Sequence, residues 1–300
     1  MASQLPPFKH FNVTFPQEYV AHVETNRADK MNSFFEAMWV ELRTIFDTLS
    51  RLPTVRAIVF SGAGDRAFTT GLDVKAASQG ILGPSSETTT DAARAASQMR
   101  RVIADFQDCV SSLERCEKPV IAVMHGYSFG LAIDLSTAAD IRVCARDTKF
   151  SVKEVDIGIA ADVGTLSRLP KVVGNYGWVK EVCLTARVFG AEEALRVGFV
   201  NSVLDTKKQA VDKAIELAGL VASKSPVAVQ GTKELLNFSR DHPVQDGTFF
   251  LASDYISSKL TVNVGLRYTG VWNGAATQTK DVTSAILSGL EKRVPTFEKL

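Results

Sequence analysis

The sequence has 300 residues, room for one large domain or two small ones, and its 45% hydrophobic and 22% charged content is ordinary for a globular chain with a sizeable core. Its 34 basic and 33 acidic side chains nearly cancel, so no broad basic field is present to hold nucleic acid or anionic lipid. No apolar run approaches the roughly 18 residues of a membrane-spanning helix, and the expectation is a protein with no span.

The opening MASQLPPFKHFNVTF has neither the apolar core of a signal peptide nor the arginine richness of a transit peptide. Residues 19–26, YVAHVETN, alternate as a strand does. Ser33-x-x-Glu36 has the form of a capping box, and Phe35, Met38, Leu42, Ile45, Phe46 and Leu49 continue with helical spacing. VRAIVFSG (55–62) reads as a buried strand running into AGDRAFTTGLD. Residues 78–90, rich in Gly, Ser and Thr, read as a mobile loop. Helical spacing returns over 91–115, with Met99, Val102, Ile103, Phe106, Val110 and Leu113 on one face.

KPVIAVMHG (118–126) is a further apolar strand, followed by the small-residue turn YSFGLAID, and DIRVCA (140–145) is another strand. Beyond residue 175 the signals are helical, over 175–186, 190–198, 207–223, 226–239 and 243–263. Alternating strands and helices predict an α/β body, followed by a helical tail that packs on the body or on a neighbouring subunit. Cys109, Cys116, Cys144 and Cys183 form no C-x-x-C pair and read as reduced structural thiols. His10, His22, His125 and His242 are too dispersed for a metal site.

Two features remain. Residues 55–73 and 118–134 repeat one plan: apolar strand, small-residue loop, Gly-Leu, then aspartate, as TTGLD and FGLAID. Loops of this kind leave backbone N–H groups unpaired at a helix start, and two such loops close in space would make an oxyanion hole. On spacing alone, two tight strand-to-helix turns are the better reading. The second feature is VKEVDIGIAADVGTLSRLPKVVG (152–174), where Glu154, Asp156 and Asp162 interrupt a mostly apolar stretch. Glu154 could pair with Lys153 or Arg168, Asp162 could cap a helix starting near Val163, and Asp134 could cap a helix or bridge to a buried arginine. Asp156 reads as a salt-bridge partner, Asp140 and Arg142 as an ion pair, and His125 as packed.

DRAFTTGLDVK (65–75), KPVIAVMHGYSFGLAIDLSTAADIRVCA (118–145) and FSVKEVDIGIAADVGTLSRLPKVVG (150–174) resemble, in order and spacing, the crotonase (enoyl-CoA hydratase/isomerase) superfamily. The three acids Asp134, Glu154 and Asp162 and the stretch SKSPVAVQGTKELLNFSRDHPV (223–244) are most similar to its Δ3,5-Δ2,4-dienoyl-CoA isomerase branch. The resemblance implies a spiral of repeated ββα units over residues 1–225 and a C-terminal helical region over 226–300. It implies an acyl-CoA substrate, coenzyme A being part of that substrate, no separate cofactor or metal, and assembly as a homotrimer or homohexamer. Thr70, Gly71, Leu72, Asp73 and Val74 would hold the acyl-CoA, and the N–H of Leu131 would supply the second half of the oxyanion hole. Leu131 stands where relatives have a glycine-rich run, so its side chain is expected to narrow the acyl pocket.

Moving two double bonds from 3,5 to 2,4 removes a proton at carbon 2 and delivers one at carbon 6, which suits one ionised and one protonated carboxyl group. Glu154 is assigned to carbon 2 and Asp162 to carbon 6, although spacing alone allows the reverse. Asp134 would tune the pocket's charge or hold a water. The competing readings are a 2-enoyl-CoA hydratase, a Δ3,Δ2-enoyl-CoA isomerase using Glu154 alone, and a non-enzymatic RNA-binding or scaffold member of the fold. Glu298-Lys299-Leu300 shares its last two residues with a peroxisomal S-K-L address, giving a peroxisomal expectation with mitochondrial or cytoplasmic alternatives.

Overall fold

The most apolar stretches of the sequence become parallel strands covered on both faces, the environment that demands nearly continuous hydrophobic runs. The computed structural model describes residues 5–73, 75–76, 91–241, 273 and 279–299. The chain forms two compact units, residues 1–219 and 220–300.

In the first unit the elements follow in the order β1 (Phe11–Gln17), β2 (Val20–Thr25), α1 (Glu36–Arg51), β3 (Ala57–Gly62), β4 (Ala67–Thr69) and α2 (Ala92–Arg115). Next come β5 (Val120–Met124), β6 (Tyr127–Phe129), α3 (Leu131–Ala138), β7 (Ile141–Ala145) and β8 (Lys149–Ser151). The series ends with α4 (Thr165–Val172), α5 (Tyr176–Thr185), β9 (Phe189–Gly190), α6 (Ala191–Arg196), β10 (Ser202–Leu204) and α7 (Lys207–Ala222), the last three residues of which belong to the second unit. One sheet has the order β1-β2-β3-β5-β7-β10 and the other β4-β6-β8-β9. Strands β2, β3, β5, β7 and β10 are mutually parallel, as are β4, β6 and β8. Each pair β3–β4, β5–β6 and β7–β8 therefore lays one strand in each sheet before the chain turns back. This is an α/β crotonase-type spiral.

Every residue of β3 and β5 is buried. Helix α1 turns Met38, Leu42, Ile45, Phe46 and Leu49 into the same core, and Trp39 stacks on Phe106 of α2 at 4.0 Å. The four cysteines are buried and free. His125 is buried with Nε2 bonded to the Gly64 carbonyl at 2.8 Å. Arg142 is held mainly by backbone carbonyls, those of Phe199, Ser136 and Ala139, while Asp140 accepts from the Val120 N–H at 2.7 Å.

Two predicted caps are not formed. Helix α1 begins at Glu36 with Phe35 as its N-cap and no side-chain bond, so Ser33 and Glu36 make no capping box. The reason is tertiary: Phe34 is extended and paired with Leu72, and the Ser33 hydroxyl accepts instead from Arg27 Nη1 at 3.0 Å. Helix α4 begins at Thr165 with Gly164 as N-cap, so Asp162 lies outside it and caps nothing.

The second unit contains α8 (Pro226–Asp241) and α9 (Lys280–Leu290), joined through a Ser225–Asp281 side-chain hydrogen bond of 2.5 Å. The mobile-loop reading of 78–90 and the helix read over 243–263 lie outside the described residues. No helix among the described residues is long and apolar enough to cross a membrane.

Candidate active site

Three neighbouring parallel strands, β4, β6 and β8, end on the same side and deliver three successive pieces of chain there. The first is the loop after β4. Asn32 holds it from beneath, donating from Nδ2 to the carbonyls of Ala63 and Ala67 at 2.9 Å each, while its own carbonyl accepts from the Thr69 hydroxyl at 2.7 Å. Phe34 donates to the Gly71 carbonyl and accepts from the Asp73 N–H, both at 2.8 Å, and Thr70 N–H donates to the Met31 carbonyl at 3.2 Å. Asp73 is fixed by Arg27 at 2.7 Å and accepts from the Ala76 N–H at 3.1 Å. That backbone N–H and Arg27 hold its carboxyl below the usual range.

The second piece is Gly130–Leu131 after β6. Gly130 has φ 55° and ψ −114°, a conformation open to glycine and costly for any residue with a Cβ. The turn throws Leu131 onto the first position of α3, where ordinary helical backbone accommodates a leucine. The two loops touch: a Cβ placed on Gly71 would stand 3.6 Å from the Leu131 nitrogen. Neither the Leu72 nor the Leu131 N–H has an acceptor among the described residues. The repeated Gly-Leu plan thus becomes two adjacent unpaired donors. The Leu131 side chain packs into the hydrophobic core and is 5% exposed, which gives its bulk a destination inside the protein.

The third piece carries the acids. Glu154 opens a short 3-10 turn just beyond β8, and its Oε1 lies 3.3 Å from where a Cβ on Gly130 would sit. Its Oε2 is buried with no hydrogen-bond partner among the described residues. Burial first, then the neighbouring Asp134, pushes its carboxyl up to about 7. Asp134 is buried on α3, and its Oδ1 accepts from both the N–H and the hydroxyl of Thr165 at 2.7 Å. Burial raises its carboxyl to about 6 against the opposing pull of Thr165 and Arg168. Asp162 is half-buried, and desolvation raises its carboxyl as well. Glu154 feels both Asp134 and Asp162 as like charges, so the three acids form one electrostatic cluster beside the paired donors.

Neither alternative partner read for Glu154 is taken up. Lys153 pairs with Asp156 at 2.8 Å, in keeping with a structural role for Asp156, and Arg168 pairs with Glu114 at 2.9 Å. Asp134 does act as a cap, satisfying the first N–H of α4, a helix thirty-one residues further along the chain. Thr70, Gly71, Leu72, Asp73 and Leu131 lie in the two touching loops, and Val74 lies outside the described residues. Thr165, Asn32 and Arg27 were not singled out in the sequence. Thr165, close to the helix start read near Val163, carried a weak signal. The other two act across 31 to 46 residues and carried none.

Residues 16–248 match the profile of the family described as Enoyl-CoA hydratase/isomerase. The chain is 41% identical over 296 residues to the mitochondrial Delta(3,5)-Delta(2,4)-dienoyl-CoA isomerase of Homo sapiens, covering 98% of this chain and 84% of that one. It is 36% identical over 281 residues to the peroxisomal Delta(3,5)-Delta(2,4)-dienoyl-CoA isomerase of Arabidopsis thaliana, covering 94% and 93%. Among solved structures, an enoyl-CoA hydratase from Bacillus anthracis matches with a TM-score of 0.81 at 25% identity, over 96% of this chain and 99% of that one.

Proposed function

Because this chain belongs to the enoyl-CoA hydratase/isomerase family, we propose that it converts 3,5-dienoyl-CoA to 2,4-dienoyl-CoA in fatty-acid β-oxidation. The observation that carries this reading is the cluster of three carboxyl groups, Asp134, Glu154 and Asp162, set beside two N–H groups with no acceptor among the described residues. Hydration or a monoene shift has no evident use for the third acid.

The thioester oxygen binds between the N–H groups of Leu72 and Leu131. As the carbon 2 proton leaves, negative charge moves onto that oxygen, and each donor is worth ~3–4 kcal/mol to the transition state in comparable sites. Glu154 takes the proton. Its buried, unpartnered Oε2 and a carboxyl held near 7 make it a stronger base than a solvated glutamate, with its charge change close to neutral pH. The dienolate spreads the charge to carbon 6, where Asp162, its carboxyl also raised by burial, returns a proton. Asp134 stays bonded to Thr165, fixes the start of α4 and adds negative potential that raises Glu154. The reaction is redox-neutral proton transfer and calls for no redox cofactor or metal, coenzyme A arriving as part of the substrate.

The test is spectroscopic: 3,5-dienoyl-CoA should yield the longer-wavelength absorbance of a conjugated 2,4-dienoyl thioester, with chelators having no effect. Efficient hydration of 2-enoyl-CoA with 3,5-dienes left untouched would replace this reading by a hydratase. We further propose a homotrimer or homohexamer, to be checked by light scattering. The proposed compartment is the peroxisome, as named for the plant relative, with the mitochondrion named for the animal one. Co-localisation of a tagged full chain decides between them.

A further inference from the structure

Helix α2 presents a polar stripe to the segment that carries Asp162. Gln107, Ser111 and Glu114 stand at i, i+4 and i+7, which places them on one face. Gln107 Nε2 donates to the Asp162 carbonyl at 2.5 Å. Ser111 Oγ accepts from Arg168 Nη2 at 2.8 Å, and Glu114 Oε2 accepts from Arg168 Nε and Nη2 at 3.0 and 2.9 Å. The Arg168 and Glu114 side chains are only 11% and 18% exposed, so water competes little for this two-pronged pair. Arg168 Nη1 lies across Gly164, where a Cβ would stand 2.1 Å away, so only glycine leaves the guanidinium its place. One helix thus grips residues 162–168 at both ends. The segment's own capping chemistry does not do this, since its N-cap is Gly164 with no side-chain bond.

We propose that the Gln107–Ser111–Glu114 stripe, acting through Arg168, is a positioning device for Asp162 that sets how far along the acyl chain this acid reaches. It rests on the isomerase reading above and deepens it. A proton donor that must meet carbon 6 needs its backbone held to a fraction of an ångström, and a displacement of about 1 Å can cost on the order of a hundredfold in rate. Gln107, Ser111 and Glu114 are positioning residues and touch no reacting atom.

The test uses the full chain and 3,5-dienoyl-CoA. Gln107→Met keeps the side chain's length, removes the donor and lies on an exposed position, so the fold survives. Glu114→Gln is the second variant and weakens the grip on Arg168. Each should lower kcat about tenfold with KM changed less than about twofold, the pattern of a transition-state loss. Exchange of the carbon 2 proton with deuterated solvent should stay at the wild-type rate. In an Asp162→Asn background Gln107→Met should have no further effect on the residual rate, because its bond to this segment ends on Asp162 itself. Unchanged kcat in both variants, parallel loss of exchange and turnover, or full additivity of Gln107→Met with Asp162→Asn would each overturn the proposal. A wild-type enzyme that leaves the diene untouched would overturn the isomerase reading, and the stripe's role with it. A reactive wild type with normal variants overturns the stripe alone.

Discussion

Helix α3 and the turn after β8 each bring a carboxyl group to one buried cluster, and the fold treats the two in opposite ways. Asp134 on α3 has its Oδ1 filled by two donors from Thr165, both at 2.7 Å, and through them it begins helix α4. Glu154 has one oxygen against the Gly130 turn and the other buried without a partner among the described residues. An unsatisfied buried acceptor costs about 1–3 kcal/mol, and the Glu154 oxygen is one that stands beside the Gly130–Leu131 turn, where a bound molecule could use it. The contrast separates an acid that builds the site from the acid proposed to act on the substrate, although both carboxyls are raised by the same burial, to about 6 and about 7.

The largest effects should come from removing the exchangeable protons. Glu154→Gln and Asp162→Asn preserve shape, and each should lower kcat by ~10²–10⁴ with little change in substrate binding. If Asp162→Asn turned over at a near-normal rate, the cluster would shrink to a two-acid site and the diene reading would fail. Asp134 should break differently. Asp134→Ala strands the N–H and hydroxyl of Thr165 in a buried place, at a cost of ~2–3 kcal/mol that thermal or urea unfolding would register. Asp134→Asn can still accept both bonds and should recover most of that stability. If Asp134→Ala unfolds at the wild-type midpoint, the assignment of Asp134 as builder is wrong.

Much of this contrast was legible in the sequence as residue types, and little of it as partners. Strands β3 and β5 announced themselves because a strand buried on both faces tolerates hardly any polar residue. Glu154 and Asp162 stood out because charge in an apolar run needs a reason. The repeated Gly-Leu marked two tight turns, and the family resemblance, not the spacing, read them as donor loops. What spacing could not give is which distant group satisfies which. The Ser33–Glu36 pattern is a sound local cap signal, yet Phe34 pairs with Leu72 and the helix starts later. Asp162 before α4 looks like a cap, yet that helix donates its first N–H to Asp134 on another helix. Asn32 and the α2 stripe act on residues 31 to 57 positions away, a relation that no local pattern encodes.

A smaller effect sharpens the comparison through pH. The Glu154 carboxyl is raised from 4.5 to about 7, so the folded protein keeps a proton that the unfolded chain has given up. Its contribution to stability therefore falls as pH rises from about 4.5 through about 7, and the destabilisation is complete above that window. Glu154→Gln removes it and should stabilise the protein by ~1–3 kcal/mol at pH 8 and by much less at pH 4, readable as unequal shifts in Tm. Equal shifts at both pH values would mean that Glu154 is not held in its neutral form. The same titration should give kcat/KM a rising limb near neutral pH, as Glu154 loses its proton and becomes a base.

The measurement that reaches the division of labour most directly is solvent exchange at carbon 2, followed by NMR or mass spectrometry with 3,5-dienoyl-CoA in deuterated water. Asp162→Asn should incorporate deuterium at carbon 2 while failing to isomerise, because Glu154 and the Leu72 and Leu131 N–H groups still form and reprotonate the dienolate. Glu154→Gln should neither exchange nor isomerise. Exchange surviving in Glu154→Gln and lost in Asp162→Asn would contradict the account and put Asp162 at carbon 2.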